Sequence, residues 1–116
     1  MSQMNLSSER VVICGAGGFI GGHLVKYLLA DGVNVVRAVD MKPLDEWHQS
    51  SSQVENLICD LSELDACRQA TRDVDVVFQM AADMGGMGFI HNNKALCMLS
   101  VLTNTHMLLA ARDSGV

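Results

Sequence analysis

Short runs of consecutive apolar residues, each closed by a glycine or an acid, set the rhythm of this chain. The first is Val11-Val12-Ile13-Cys14. Four apolar residues with no polar alternation read as a strand buried on both faces. Strand one is predicted over roughly Arg10 to Cys14. From about Gly18 to Ala30 the apolar positions Ile20, Leu24, Tyr27 and Leu28 fall at helical spacing. Asp31-Gly32 closes that helix, with Gly32 suited to the left-handed C′ position. Strand two is Asn34 to Val39, rich in valine and ended by Asp40. Met41 to Gln53 is polar, carries the one proline, Pro43, and reads as a loop or short helix. Trp47 within it is expected to be a surface packing residue, with ligand stacking as the alternative.

Strand three covers about Val54 to Cys59, followed by Asp60. Ser62-x-x-Asp65 resembles a capping box with a shorter acid and opens a helix through Ala70. Strand four is Val74 to Met80. A Met- and Gly-rich loop, Ala81 to Ile90, leads to a last helix from about Asn93 to Arg112. That helix is apolar almost all round, which predicts two buried faces: one on the sheet, one on a partner such as a second copy. Strands alternating with helices imply a parallel sheet with right-handed crossovers. The expected class is α/β, the first half of a doubly wound parallel sheet in the order 3-2-1-4, with flanking helices.

Composition narrows the function classes. The 116 residues suit one domain, read as a polar lead over 1–9 and a single folded domain over 10–116. With 49% hydrophobic and 18% charged residues, the chain is globular rather than disordered. A net charge of −5 argues against a nucleic-acid partner. No apolar run approaches the ~20 residues of a membrane helix, and the first ten residues lack a signal-peptide pattern. The expectation is a cytoplasmic protein with no membrane partner. Cys14, Cys59, Cys67 and Cys97 form no Cys-x-x-Cys pair and no cluster at ligand spacing. They read as reduced, mostly buried thiols, with no metal site.

The candidate chemistry follows strand one. In Gly15-Ala16-Gly17-Gly18-Phe19-Ile20-Gly21-Gly22 the register Gly15, Gly18, Gly21 places a glycine turn between a strand and a helix. Glycine lets the backbone approach a pyrophosphate, and a helix N-terminus offers free N–H groups and a positive dipole end. Asp40 ends strand two about 20 residues later, the spacing of an acid that binds the adenosine ribose. A carboxylate there repels a 2′-phosphate, which favours NAD over NADP. Arg37 and Lys42 lie nearby without replacing the acid. The plainer reading makes Asp40 a turn residue and the glycines mere packing. Asp60 either caps the next helix or reaches the adenine.

Gly15 to Gly21 with His23-Leu24 resembles the nucleotide motif of the extended short-chain dehydrogenases/reductases. Ala81-Ala82-Asp83-Met84-Gly85-Gly86-Met87-Gly88-Phe89-Ile90 is similar to the corresponding loop of GDP-mannose 3,5-epimerases. The resemblance runs from strand one to the last helix and implies the N-terminal, NAD-binding portion of a Rossmann-type epimerase. It assigns Gly15, Gly18 and Gly21 to the pyrophosphate turn, with backbone contacts from Phe19 and Ile20. Asp40 goes to the adenosine ribose, Asp60 with Leu61 to the adenine, and Ala81 and Ala82 to the nicotinamide side. Gly85, Gly86 and Met87 face a GDP-mannose-like sugar nucleotide. A homodimer through the 93–112 helix is implied for the complete enzyme. Two departures are Cys14, where such enzymes often carry Thr, and Ser100, where many carry Asn.

The resemblance also implies a Tyr-x-x-x-Lys catalytic pair, and this chain has none. Its one tyrosine, Tyr27, is followed four places on by Asp31. No catalytic residue is therefore assigned, and the catalytic strand and helix are expected beyond Val116. The 116-residue chain alone is expected to be inactive, and to associate with increasing concentration through an open strand four. Another NAD-dependent sugar-nucleotide epimerase or dehydratase, or a non-catalytic nucleotide-binding module, are the other readings.

Overall fold

The computed structural model describes residues 9–81 and 94–116, with backbone alone over 94–101. The elements run β1 (Arg10–Cys14), α1 (Phe19–Ala30), β2 (Val35–Asp40), a 3-10 turn (Leu44–Glu46), β3 (Glu55–Ile58), α2 (Leu64–Ala70), β4 (Val76–Gln79) and α3 (Lys94–Ser114). The four strands form one sheet in the order β3-β2-β1-β4, and every pairing is parallel. This is the expected α/β half-sheet; β1 has the expected bounds, β2 is shifted by one residue, and β3 and β4 are shorter than the apolar runs suggest.

The unbroken apolar run of β1 has a direct physical cause. Val11 and Ile13 face one layer, with Val25 and Leu28 of α1. Val12 and Cys14 face the other, with Cys67 and Ala70 of α2 and Met107 and Ala110 of α3. Both faces of the strand are covered, so neither alternates with polar residues.

Two local expectations need correction. Helix α1 buries Gly21, Gly22, Val25 and Leu28. Ile20 and Tyr27, although at helical spacing with Leu24, stand 66% and 65% exposed. The sheet is met by the glycine face, because only residues without side chains let the helix start so close to β1. The capping box at Ser62 does not form: the N-cap of α2 is Glu63, with no side-chain bond. Asp60 reaches Ser62 first. Its Oδ1 accepts the Ser62 N–H at 2.9 Å and the Ser62 Oγ–H at 2.7 Å, an Asx-type turn that uses up the hydroxyl.

The Ser62 hydroxyl bond, then its N–H bond, hold the Asp60 carboxyl below the ordinary carboxylate range. A depressed folded pKa contributes stability that is present above the unfolded carboxylate pKa and is lost as pH falls through the folded one. Ser62→Ala removes the larger of the two causes. It should therefore lower Tm most at neutral pH, with the gap to the wild type narrowing as pH falls below the carboxylate range. A pH series of thermal melts reads this directly, and a gap that widens on acidification would contradict it.

Arg37 is committed to structure. Its Nη1 donates to the carbonyls of Ala70 at 2.7 Å, Arg72 at 2.9 Å and Gln69 at 3.3 Å. Its Nε meets Glu55 at 2.6 Å. One guanidinium thus closes the C-terminal end of α2 and ties β2 to β3. Charge-assisted bonds of this kind are each worth about 1.5–3 kcal/mol, not additively. Arg37→Ala is expected to cost about 2 kcal/mol, measured by denaturant unfolding, with the midpoint falling.

Candidate functional site

The ends of β1, β2 and β4 converge on the glycine turn. The register pairs Cys14 with Val39 and with Gln79, so the chain leaves β1 directly beside the last residues of its two neighbours. The N–H groups of Gly15 and Ala16 both donate to the Val39 carbonyl, at 2.8 and 3.0 Å. Gly15 has φ +86, and a Cβ on it would lie 2.7 Å from the Ala81 nitrogen and the Met80 carbonyl carbon. A side chain is excluded there both by conformation and by the end of β4. Gly21 packs directly on the Gly15 carbonyl, with no space for a Cβ.

The turn delivers the chain to α1 through Gly18, an extended N-cap without a side-chain bond. The Gly22 N–H is the first in the helix ladder, bonded to the Gly18 carbonyl at 2.9 Å. The N–H groups of Phe19, Ile20 and Gly21 have no acceptor among the described residues. They are the unsatisfied donors that every helix start carries, at the positive end of its dipole. A wall of glycines with three aligned donors fits a diphosphate: the anion can come within hydrogen-bond distance without displacing a side chain. The Phe19 and Ile20 side chains are 63% and 66% exposed; being apolar, they offer an anion no hydrogen bond, and only their backbone N–H groups can donate to one.

Asp40 stands at the rim of this cradle, half-buried. Its Oδ2 accepts the Gly17 N–H at 3.0 Å and its Oδ1 accepts the Lys42 N–H at 3.1 Å. An ionised carboxylate has about four acceptor positions; the remainder can take hydroxyl donors. Asp40 is thus not simply a strand-terminal turn residue, since it reaches across to the glycine turn.

Trp47 overturns its expected surface position. It is 8% exposed and packs in the α1-side core, and its Nε1–H donates to the Lys42 carbonyl at 2.9 Å. A Cβ on Gly17 would lie 2.8 Å from the indole Cδ1. The indole fills the hollow that a side-chain-free Gly17 leaves. Gly17 and Trp47 are the site residues that sequence reasoning missed; the signal available was a lone tryptophan in a polar loop and a glycine outside the repeating register.

At the other strand ends, Asp60 is exposed and engaged with Ser62, while the Leu61 side chain is buried at 5% exposure in the second core layer. Ala81 lies partly buried against that same layer. Ala82, Gly85, Gly86 and Met87 lie outside the described residues. Tyr27 sits about 12 Å along α1 from Phe19 at the rise of a helix, away from the cradle. The three thiols among the described residues offer no nucleophile. Burial pushes Cys14 up to about 12 and Cys67 up to about 11, and Cys59 is raised as well. Among the described residues no His, Cys, Asp or Glu group could hold a metal ion. None of their helices is long and apolar enough to cross a membrane.

The sequence profile of the 3-beta hydroxysteroid dehydrogenase/isomerase family matches residues 12–116, from within β1 to the last residue. The chain belongs to this family. As a member of the 3-beta hydroxysteroid dehydrogenase/isomerase family it is also similar to GDP-mannose 3,5-epimerase 1 of Oryza sativa subsp. indica, at 38% identity over 114 residues, covering 92% of this chain and 28% of that protein. The chain therefore spans under a third of the length of that relative. Among solved structures, Pen from Bacillus thuringiensis superposes with a TM-score of 0.84 at 25% identity, covering 98% of this chain and 37% of that one. The UDP-glucose 4-epimerase of Thermus thermophilus, solved as a complex with NAD, gives a TM-score of 0.75 at 26% identity, covering 92% and 35%. The stretch matched to the 3-beta hydroxysteroid dehydrogenase/isomerase family includes the glycine turn, Asp40 and all of α3.

Proposed function

We propose that this chain is the NAD-binding portion of a nucleotide-sugar epimerase acting on a GDP-mannose-like substrate. The observation that carries the reading is the hydrogen bond between Asp40 and Gly17, which joins the ribose acid to the phosphate turn in one site. The identity with the rice epimerase supports the substrate class, and the NAD complex of the Thermus epimerase supports the cofactor.

In this reading the Phe19, Ile20 and Gly21 N–H groups hold the diphosphate, and Gly15, Gly18 and Gly21 give it room. Asp40 accepts the adenosine ribose hydroxyls on the acceptor positions that Gly17 and Lys42 leave open. Asp60, with Leu61, borders the adenine. Ala81 and Ala82 leave space on the nicotinamide side, and Gly85, Gly86 and Met87 face the sugar nucleotide. NAD, when bound, supplies reversible hydride acceptance at a sugar carbon, so that epimerisation ends without net redox change. The negative charge of Asp40 disfavours the extra phosphate of NADP. Arg37, the cation that could have balanced it from β2, is occupied at the end of α2.

The chain carries no Tyr-x-x-x-Lys pair, so it binds the cofactor without turning over sugar on its own. Leu108, 70% exposed, stands on α3, the helix through which the complete enzyme would form a homodimer. A cytoplasmic location belongs to the same reading. Calorimetric titration with NAD and NADP is the test: saturable NAD binding, with NADP at least about tenfold weaker, is expected. Equal affinities, or no NAD binding, would overturn it.

A further inference from the structure

Four hydrogen bonds and one packing contact form a closed circuit around Asp40. Gly17 N–H donates to Asp40 Oδ2, and Lys42 N–H donates to Asp40 Oδ1. The Lys42 carbonyl in turn accepts the Trp47 indole N–H at 2.9 Å. The indole lies against Gly17, and the next residue, His48, donates its N–H to the Gly17 carbonyl at 3.1 Å. The loop after β2 is therefore latched onto the glycine turn on both sides of Gly17, with the carboxylate inside the latch.

We propose that Trp47 is a positioning residue for Asp40: by anchoring Lys42 and covering Gly17, it fixes the carboxylate rotamer that reads the adenosine ribose. This rests on the NAD-binding reading above and deepens it. An exposed Asp side chain samples several rotamers, and one that must meet two ribose hydroxyls gains from being held beforehand, because the ordering cost is then met during folding rather than on binding. Both anchors of the carboxylate are backbone N–H groups, so no neighbouring side chain sets its orientation directly. The placement of Lys42 does: its N–H donates to the carboxylate, and its carbonyl, one peptide unit further on, is held by the Trp47 N–H. The single Gly17 position is closed to side chains for the same reason: a Cβ there would lie 2.8 Å from the indole and 2.9 Å from Asp40 Oδ2.

The test compares Trp47→Phe, which keeps an aromatic ring but removes the N–H, with Arg37→Gln, which weakens the fold elsewhere. In the ligand-free chain, NMR should show the Gly17 amide proton shifted and exchanging faster in Trp47→Phe, and unmoved in Arg37→Gln. In NAD and NADP titrations, Trp47→Phe should lower the NAD to NADP affinity ratio about five- to tenfold, while Arg37→Gln keeps the ratio. In an Asp40→Asn background, Trp47→Phe should change the ratio no further, since Trp47 acts through the carboxylate. A wild-type chain that prefers NAD, with a ratio and a Gly17 amide indifferent to Trp47→Phe, would overturn the proposal. A wild-type chain without NAD preference would instead sink the cofactor reading, and the Gly17 amide would still decide whether Trp47 holds Asp40.

Discussion

Replacing Asp40 with alanine is expected to weaken NAD binding about 10- to 100-fold while NADP binding strengthens, because the charge that repels its extra phosphate is gone. The magnitude follows from the chemistry of the contact. Hydrogen bonds between hydroxyl donors and a charged acceptor contribute about 1.5–3 kcal/mol, and each 1.4 kcal/mol is a factor of about ten. The loss concentrates on NAD because NADP never benefited from the carboxylate. Two backbone donors, from Gly17 and Lys42, lose their acceptor at the same time. The rim is half-open to water, which can replace much of that loss, so the cost in stability is expected to be about 1 kcal/mol. Calorimetric affinities for both dinucleotides, beside melting curves, separate the two effects. An unchanged NAD affinity in a folded Asp40→Ala chain would remove Asp40 from the site.

The second large effect is on the fold. Gly21→Ala should destabilise the chain by about 3 kcal/mol, lowering Tm by roughly 10 °C or more. On helix propensity alone the change is favourable, since Ala exceeds Gly by about 1 kcal/mol in a helix interior. Sterics decide against it. A Cβ at Gly21 would collide with the Gly15 carbonyl oxygen and its carbon, which are backbone atoms beside a turn pinned by two bonds to the Val39 carbonyl. The neighbour cannot rotate away as a side chain would, so α1 must move off β1 and take the Phe19 and Ile20 donors with it. Gly22→Ala is the internal control. Its Cβ would meet the Ala16 carbonyl oxygen at 3.4 Å, and the cost there should be small. Differential scanning calorimetry of both variants tests the contrast. Equal melting temperatures would mean that the turn is softer than its bonding suggests.

What was legible in the sequence, and what was not, divides by the range of the interaction. The strand positions followed from apolar runs, and the parallel order followed from the alternation of strands and helices. The glycine turn was visible because glycines act locally: each marks a place where a backbone must pass close to another. The buried face of α1 was misjudged because its innermost positions are Gly21 and Gly22, which carry no hydrophobic signal. The capping box failed because Asp60, two residues upstream, competes for the Ser62 hydroxyl. Burial of Trp47 was hidden by the polarity of its loop, since the hollow it fills is made by Gly17, thirty residues earlier in the chain.

The sequence by itself determined the α/β half-sheet, the glycine turn and an acid at the end of β2. These depend on periodicity and on the conformations that individual residues allow. Only the tertiary structure decided that Asp40 meets Gly17, that Arg37 is committed to the end of α2, and that Trp47 closes over the turn. Those pairings come from the parallel register of β1 with β2, where Cys14 stands opposite Val39. That register brings the turn after β1 against the last residue of β2, and no local pattern within either segment encodes it.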